Sequence, residues 1–408
     1  MAEIANDLTK KDLDELLKPT LDAEGTKLKD FSVRYLTKPG DNYGSTMLAV
    51  DVNLTPGPRT LPLVAKMLPK SAALQEEFQV EKSVRKEIDM YLLVRPALER
   101  IQKEYNVPGD KYLDVLPLCY GARISSKGDS GPVDATSVIL QENLKAKGFE
   151  TGDRLTGLNL EHCKLVVDKL ARFHATTVSI KLKKPEEFKK TVLRAATDLI
   201  MTEDELNGVK PLENIPEYET MNERINTAIL KSWELFAKIN SEPPREPFAT
   251  IAHLDLWTNN IMFQYESSSS KVSPKTLRFI DFQITQYDSP VRDLLFFLYT
   301  SAHLDVLSEH YDYLTRLYYD SFVDSLRMLD CETSPFSFDE FLKEIEYASS
   351  VEFVHIAFML PFITISSEDA INTADMTHED IKSPPKYGES YIPRARKFIQ
   401  DFASRNWI

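Results

Sequence analysis

The sequence predicts an α+β fold in two lobes: a small lobe with an antiparallel sheet and one helix, and a larger, mainly helical lobe. The chain has 408 residues, which is more than a single hydrophobic core usually serves. Between residues 30 and 142, short β-type runs alternate with Gly, Pro and Asp turns and surround one helical pattern. From residue 143 onward, apolar residues recur mainly at helical spacing.

Three segments are expected in chain order. Residues 1–29 form a helical extension because leucines recur there at roughly helical spacing, residues 30–142 form the small lobe, and residues 143–408 form the large lobe. The small lobe is expected to hold strands at 31–36, 47–54, 61–67, 115–120 and 137–140 and one helix at 74–101. The large lobe is expected to hold helices at 160–177, at 219–239 and after 290, with one hairpin formed by β runs at 261–265 and 277–280.

Composition and charge narrow the classes of function. An apolar fraction of 42% with 27% charged residues is typical of a globular protein. A net charge of −14 argues against nucleic acid and membrane surfaces as partners, because both are anionic. Three widely spaced cysteines offer neither a disulfide framework nor a zinc site. The N-terminus shows no signal-peptide pattern, and the most apolar run, 353–365, is too short to cross a bilayer, so a cytoplasmic protein is expected and its oligomeric state stays open.

The strongest motif begins at His253 and reads His-Leu-Asp-Leu-Trp-Thr-Asn-Asn. It matches H-x-D-x-x-x-x-N, the catalytic loop of kinases. Phosphoryl transfer needs a carboxylate near the acceptor hydroxyl and a neutral oxygen ligand for Mg²⁺ a few residues later, and Asp255 and Asn260 supply these at the required spacing. The alternative is an ordinary turn rich in Asp and Asn.

A second motif follows the β run at 277–280, where Asp281 begins Asp-Phe-Gln in the place of the kinase D-F-G. If the two β runs pair antiparallel, the hairpin returns Asp281 to the side of Asn260. One carboxylate and one amide oxygen at the same mouth form a site that suits Mg²⁺. A structural aspartate at the end of a strand is the alternative.

The small lobe contains a loop, Pro-Gly-Asp-Asn-Tyr-Gly-Ser, between two β runs. Its candidate phosphate-binding residues are Gly40, Asn42, Gly44 and Ser45, because glycine permits the close backbone approach that a phosphate requires. The loop is not a full G-x-G-x-x-G, and an ordinary hairpin turn is the alternative.

Lys66 lies in an apolar run, Leu-Val-Ala-Lys-Met, similar to the kinase V-A-I-K. Burying an unpaired lysine is costly, which predicts an anionic partner. Glu77, Glu81 and Glu87 on the following helix are candidates, and Glu87 is preferred because it adjoins the apolar stripe. The alternative is a lysine on an edge strand that reaches solvent.

Together these motifs resemble the ecdysteroid-kinase-like (CHK-kinase-like) family, which is related to choline kinases and aminoglycoside phosphotransferases. The likeness runs from about residue 30 to the C-terminus and includes further stretches at 139–144, 147–149, 153–154, 170–175 and 288–294. The resemblance implies a bilobal protein-kinase-like fold in which the small lobe binds ATP. It also implies a catalytic role for Asp255, Mg²⁺ ligation by Asn260 and Asp281, contact of the ATP phosphates by Lys66 paired with Glu87, and adenine binding by the backbone around Glu142 and Leu144.

Family members are associated with phosphorylation of ecdysteroids or related small molecules, so the expected partner is a small, apolar molecule with a hydroxyl group, such as a steroid alcohol. Leu254 stands where the family usually has glycine, and if this position needs a positive φ a leucine is strained there.

The alternatives to a kinase for steroid alcohols are a catalytically weak or silent relative that binds an apolar ligand, and a kinase of the choline or aminoglycoside type. A metal hydrolase built around His253, Asp255 and Asp281 is a third alternative. A protein kinase is a weaker alternative, because little chain separates Asp281 from Asp293. Asp293 itself either favours a helix N-terminus or ties down the catalytic loop.

Overall fold

In the computed structural model, the N-terminal part of the chain forms a five-stranded antiparallel sheet whose strand order is β1-β2-β3-β5-β4. The structure describes residues 8–36, 45–77, 79–128, 130–196, 203–239, 241–266, 271–366, 377, 379 and 386–408. The strands of this lobe are β1 (Lys27–Tyr35), β2 (Thr46–Thr55), β3 (Arg59–Met67), β4 (Cys119–Arg123) and β5 (Val138–Glu142). Its helices are α1 (Lys10–Glu24), α2 (Ala72–Glu77), α3 (Val80–Asp89) and α4 (Arg95–Glu104).

The remaining chain is mainly helical. Its helices are α5 (Leu160–Lys183), α6 (Pro185–Lys190), α7 (Tyr218–Ile239), α8 (Val291–Ser301), α9 (Leu304–Met328), α10 (Phe338–Thr364) and α11 (Tyr391–Ser404). Its strands are β6 (Phe149–Thr151), β7 (Thr250–Ala252), β8 (Ile261–Gln264), β9 (Thr276–Phe279) and β10 (Gln286–Asp288). The α+β fold class with an antiparallel sheet lobe and a helical region is therefore confirmed, whereas the domain limits at residues 29 and 142 stay predictions.

Helix α1 covers one face of the small sheet. Its leucines, such as Leu13 and Leu17, are buried in one cluster with sheet residues that include Leu48. The helix begins at a capping box formed by Thr9, and it ends at Gly25, whose φ of 65° is the left-handed conformation that glycine adopts without strain. The extension predicted for the first 29 residues thus packs as part of the small-lobe core.

The sequence predicted one continuous helix over residues 74–101, and this prediction is wrong, because the structure has three helices there. Gln79, with φ 43°, separates α2 from α3, and a π-helical turn at Met90–Val94 separates α3 from α4. Pro96, the second residue of α4, cannot donate the hydrogen bond that a regular helix requires, so the wider turn before it accommodates it. The apolar stripe continues through the second break, because Ile88 of α3, the π-helical turn and α4 all pack into the same core.

The predicted hairpin in the large lobe is confirmed, since β8 pairs antiparallel with β9 and Ile261 lies opposite Phe279. The prediction of one hairpin was incomplete. Strand β6 pairs with β8 to give three strands, and β7 pairs with β10 to give two. Each added strand has three residues, too few to show an alternating pattern.

Helix α10 contains the apolar run that the sequence singled out. Judged by length and composition alone, the 27 residues of α10 are long and apolar enough to cross a membrane. However, 72% of its apolar window is buried inside the protein. Glu352 in its middle is buried in a salt bridge with Arg292 of α8, which is how a core helix accommodates a charge.

Candidate active site

The structure brings Lys66, Glu87 and Asp281 together between the two lobes. The Nζ atom of Lys66 lies 2.6 Å from Glu87 Oε2 and 2.7 Å from Asp281 Oδ1. Lys66 belongs to β3, which is paired on both sides, so the alternative of an edge-strand lysine is wrong. Among the candidate glutamates, Glu81 instead pairs with Arg85, and Glu87 is the partner of Lys66.

The charges of this cluster do not balance. Burial alone would lower the pKa of Lys66, but the neighbouring carboxylates of Asp281 and Glu87 raise it above its usual value, so the ammonium stays charged. Lys66 faces these two carboxylates, and the carboxylate of Asp255 is also nearby. Burial and the charge of Asp281 raise the pKa of Asp255 well above its ordinary value. Three acidic side chains beside one lysine suit a divalent cation, because a cation would offset the repulsion that opposes their ionisation.

Asp255 and Asn260 form one hydrogen-bonded unit. The Nδ2 atom of Asn260 donates to the backbone oxygen of Asp255 at 2.8 Å and to its Oδ2 atom at 2.7 Å. Because the backbone oxygen of Asp255 can only accept, the nitrogen of the Asn260 amide must face Asp255, and its Oδ1 atom faces away. That oxygen is therefore available as a ligand.

The hairpin of β8 and β9 joins this unit to Asp281. The amide of Ile280 donates to the backbone oxygen of Asn260 at 3.0 Å, and Asp281 is the next residue. The neutral oxygen of Asn260 and the carboxylate of Asp281 thus lie at the same end of the hairpin, as the spacing predicted. This hard-oxygen donor set fits Mg²⁺, which usually takes few protein ligands and completes its shell with water and phosphate oxygens.

Asp293 holds the loop that begins at His253. This fully buried carboxylate accepts hydrogen bonds from the amides of His253 and Leu254, each at 2.7 Å, and contacts His174 Nε2 at 3.1 Å. Although burial opposes it, the hydrogen bond and charge of His174 and the contacts with His253 hold the pKa of Asp293 below its usual value. Of the two roles proposed for Asp293, the geometry supports the one that ties down the loop.

Two residues of the site have left-handed backbone. Leu254 has φ 62° and Asp281 has φ 68°. Non-glycine residues adopt this conformation at a cost of about 1–2 kcal/mol, and they keep it when the surroundings impose it. Leu254 therefore occupies a position that glycine would fill without strain, as the comparison with the family pattern predicted.

His253 is a structural residue. Its ring is buried, and burial lowers its pKa, so the imidazole is neutral. Its Nε2 atom lies 3.0 Å from the oxygen of Ile280, and its Nδ1 atom accepts from the amide of Asp255 at 3.3 Å. Both ring nitrogens are thus used within the protein, which argues against the metal hydrolase. In addition, no group of three His, Cys, Asp or Glu side chains in the described residues is placed to hold a metal.

Glu142 and Leu144 lie where β5 leads into the large lobe. The side chain of Glu142 accepts from the amide of Leu118 at 2.9 Å and pairs with Lys147, so it anchors this connection. The amides of Glu142 and Asn143 donate to backbone oxygens at 2.9 and 3.2 Å, whereas no acceptor in the described part of the chain takes the amide of Leu144. Adenine binding by this backbone stays a prediction.

Gly40, Asn42 and Gly44 of the predicted phosphate loop lie outside the described residues, and Ser45 precedes β2.

One buried contact of the cleft was missed by the sequence reasoning. Lys86, next to Glu87 on α3, donates to the backbone oxygen of Thr285 at 2.8 Å and so fastens α3 to the segment that follows Asp281. A lysine beside a glutamate on a helix is normally exposed. Nothing in the local pattern indicated that Lys86 is almost completely buried.

An antiparallel lobe, a helical lobe and a lysine–carboxylate cluster between them define a kinase-like fold. A model of the ecdysteroid kinase-like family matches residues 39–331, and the chain belongs to this family. The predicted family is thus confirmed over a shorter stretch than the sequence resemblance suggested. No curated protein matches the chain.

Similar solved structures have low identity to the chain. A spectinomycin phosphotransferase in complex with ADP and spectinomycin is 9% identical, with a TM-score of 0.43, and the match covers 95% of this chain and 98% of that one. A choline/ethanolamine kinase family protein from Mesorhizobium loti is 10% identical, with a TM-score of 0.40 and coverage of 92% and 91%.

Proposed function

We propose that this protein transfers the γ-phosphate of ATP, with Mg²⁺, to a hydroxyl group of a small, apolar molecule such as an ecdysteroid or related steroid alcohol. The observation that carries the proposal is the convergence of Lys66, Glu87 and Asp281 with the hydrogen-bonded pair of Asp255 and Asn260. These side chains come from distant parts of the chain, and a chance turn or an isolated ion pair does not assemble them.

Each residue has a role that its geometry supports. Asp255 would orient the acceptor hydroxyl and take its proton, and Lys66, held by Glu87, would contact the ATP phosphates. Asn260 and Asp281 would hold the metal, which when bound supplies positive charge to the phosphate oxygens. The amide of Leu144 would bind adenine.

The choice of acceptor rests on family membership, because the described residues do not show which molecule binds beside Asp255. A choline-type or aminoglycoside-type acceptor is the second candidate. We propose a cytoplasmic protein with no nucleic acid or membrane partner, in keeping with its net charge of −14.

The test is ATP consumption by the purified protein with steroid alcohols, choline-like amines and aminoglycosides, with the phosphorylated product identified by mass spectrometry. Asp255→Asn should lower the turnover at least about 100-fold, the scale of a lost general base. Asp110→Asn is the matched control, because its side chain is 75% exposed and its ion pair is with Lys111, which is not part of the cluster. Turnover that survives the loss of Asp255 would refute its role, and ligand binding without turnover would identify a silent relative.

A further inference from the structure

The ion pair between Lys66 and Glu87 joins two separate apolar clusters of the protein. Strand β3, which carries Lys66, buries residues such as Leu63 in one cluster with α1 and the other strands of the small sheet. The end of α3, the π-helical turn and α4 instead bury residues such as Met90 in a second cluster, together with α5 and α8. Glu87 therefore lies on a part of the small lobe that packs with the large lobe.

A hydrogen bond on one side of Glu87 anchors α3 to the large lobe. Lys86 is 1% exposed, and its Nζ atom donates to the backbone oxygen of Thr285 at 2.8 Å. The hydroxyl of Thr285 in turn donates to the backbone oxygen of Ala195 at 2.7 Å. Because a hydrogen bond from an ammonium group is stronger than one between neutral groups, this contact restricts movement of α3 relative to the large lobe.

A salt bridge anchors α3 on the other side of Glu87. The Nε atom of Arg194 lies 2.8 Å from Asp89 Oδ2, and Arg194 belongs to the short turn Leu193–Ala195. The side chain of Asp89 is 12% exposed, whereas that of Arg194 is 65% exposed. The turn that pairs with Asp89 is also the one that accepts from Thr285, so both anchors of α3 meet the same part of the large lobe.

The π-helical turn holds the carboxylate of Glu87 itself. The hydroxyl of Tyr91 donates to Glu87 Oε1 at 3.3 Å, whereas the Nζ atom of Lys66 lies 2.6 Å from Oε2. The ring of Tyr91 packs edge-on against that of Phe282, with ring centres 6.0 Å apart, and Phe282 directly follows Asp281. Glu87 and Asp281 are thus fixed relative to each other by neighbouring residues, and both carboxylates contact the same ammonium group.

The first part of α3 contacts the small lobe instead. Arg85 donates to the backbone oxygen of Gly131 at 2.6 Å, and Glu81 accepts from the amide of Val133 at 2.7 Å. Both partners lie in the loop between β4 and β5. The same helix therefore offers one arginine contact within the small lobe, which serves as a control for the contacts with the large lobe.

We propose that Lys86 and Arg194 are positioning residues for nucleotide binding, because they hold the end of α3 on the large lobe and so keep Glu87 beside Asp281. The two carboxylates then form a fixed site for the ammonium group of Lys66, which reaches them from the small sheet. This group is thereby held where the phosphates of ATP are proposed to bind. The inference rests on the proposed function, since it takes from there the contact between Lys66 and the phosphates.

The first test compares two ligands by isothermal titration calorimetry: Mg·AMP-PNP, a nonhydrolysable analogue of ATP, and adenosine, which has no phosphate. Arg194→Ala should weaken Mg·AMP-PNP binding about threefold and Lys86→Met about tenfold, the scales of an exposed ion pair and of a charged hydrogen bond. Adenosine should bind both variants as it binds the parent protein, because Lys66 acts on the phosphates. Equal weakening of both ligands would overturn the proposal.

Two matched variants control this measurement. Arg194→Lys keeps a cation beside Asp89 and should restore the affinity for Mg·AMP-PNP that Arg194→Ala loses. Arg85→Ala removes an arginine from α3 whose partners lie in the small lobe, and it should leave this affinity unchanged. Because the side chain of Arg194 is 65% exposed, its variants are expected to fold. An Arg194→Ala variant that binds Mg·AMP-PNP as tightly as the parent would refute the role of Arg194.

A double-mutant cycle separates positioning from a general loss of structure. In a Glu87→Gln background, Lys86→Met should weaken Mg·AMP-PNP binding by less than about twofold further, because a residue that acts through Glu87 has little effect once that carboxylate is gone. A further loss of about tenfold in this background would show that Lys86 does not act through Glu87.

Hydrogen exchange of the free protein tests the anchoring of α3 without any nucleotide. The amides of α3 should exchange at least about threefold faster in Arg194→Ala than in the parent protein, and those of β2 should not change. Unchanged exchange in α3 would overturn the proposal. If the parent protein does not bind Mg·AMP-PNP, the proposed function fails, and the exchange measurement still decides whether Arg194 anchors α3.

Discussion

The left-handed backbone at Leu254 predicts that glycine is more stable than alanine at this position, the reverse of the usual order. At an ordinary position, alanine is more stable than glycine by about 0.5–1 kcal/mol, because glycine loses more conformational freedom on folding. With φ 62°, Leu254 reverses this order, since the Cβ atom of any L-residue costs about 1–2 kcal/mol there. We therefore expect Leu254→Gly to be more stable than Leu254→Ala by about 1 kcal/mol.

Both variants should be less stable than the parent protein. The side chain of Leu254 is 5% exposed, and removal of a buried leucine side chain costs about 2–5 kcal/mol. This loss is nearly the same in the two variants, so their difference isolates the backbone. The measurement is urea-induced unfolding followed by circular dichroism, with the free energy of unfolding compared at equal slope.

Leu256 provides the matched control two residues away. It is also buried, but it is not among the described residues with positive φ. Leu256→Ala should therefore be more stable than Leu256→Gly by about 0.5–1 kcal/mol. If Leu254→Ala equals or exceeds Leu254→Gly in stability, the backbone at Leu254 is not strained and the reasoning fails.

Three further predictions concern other parts of the fold. Gly121→Ala should destabilise the small lobe by about 1–3 kcal/mol in thermal unfolding, because its Cβ would lie 2.4 Å from a backbone oxygen of α1, whereas Gly109→Ala, with no atom within 4 Å, should change stability by less than about 0.5 kcal/mol. Asp293→Asn should cost about 3 kcal/mol or more in urea unfolding, since an amide replaces the carboxylate that two backbone amides and His174 share, and a loss below about 1 kcal/mol would contradict its role. Lys66→Met leaves the buried Glu87 without its cation. Burial already raises the pKa of Glu87, so the folded state holds its proton more tightly than the unfolded state does. The stability of the variant should therefore fall as pH rises above about 4.5, the ordinary pKa of a glutamate, by up to about 1.4 kcal/mol per pH unit. A pH-independent loss would refute this.

The parts of the site that could be predicted are those set by local spacing. A hairpin returns its second strand to the start of the first, so the distance between Asn260 and Asp281 in the sequence sufficed to predict that they meet. The apolar surroundings of Lys66 likewise predicted an anionic partner, and Glu87 is that partner. The adenine site and the phosphate loop stay predictions.

Other features depend on contacts between remote segments, which spacing does not encode. The bond between Lys86 and Thr285 joins residues that are 199 positions apart. The break before α4 follows from Pro96, but the apolar pattern continues through it and so favoured one helix.

The strain at Leu254 and the burial of Asp293 explain one another. A single carboxylate receives two consecutive amides, those of His253 and Leu254, at 2.7 Å each, and an extended chain points consecutive amides in opposite directions. The chain must therefore turn at this point, and the left-handed conformation of Leu254 makes the turn. Hydrogen bonds to a charged acceptor contribute about 1.5–3 kcal/mol each, which is more than the cost of about 1–2 kcal/mol for a left-handed leucine. The leucine therefore keeps the loop geometry that glycine would allow, at the cost of a more strained backbone.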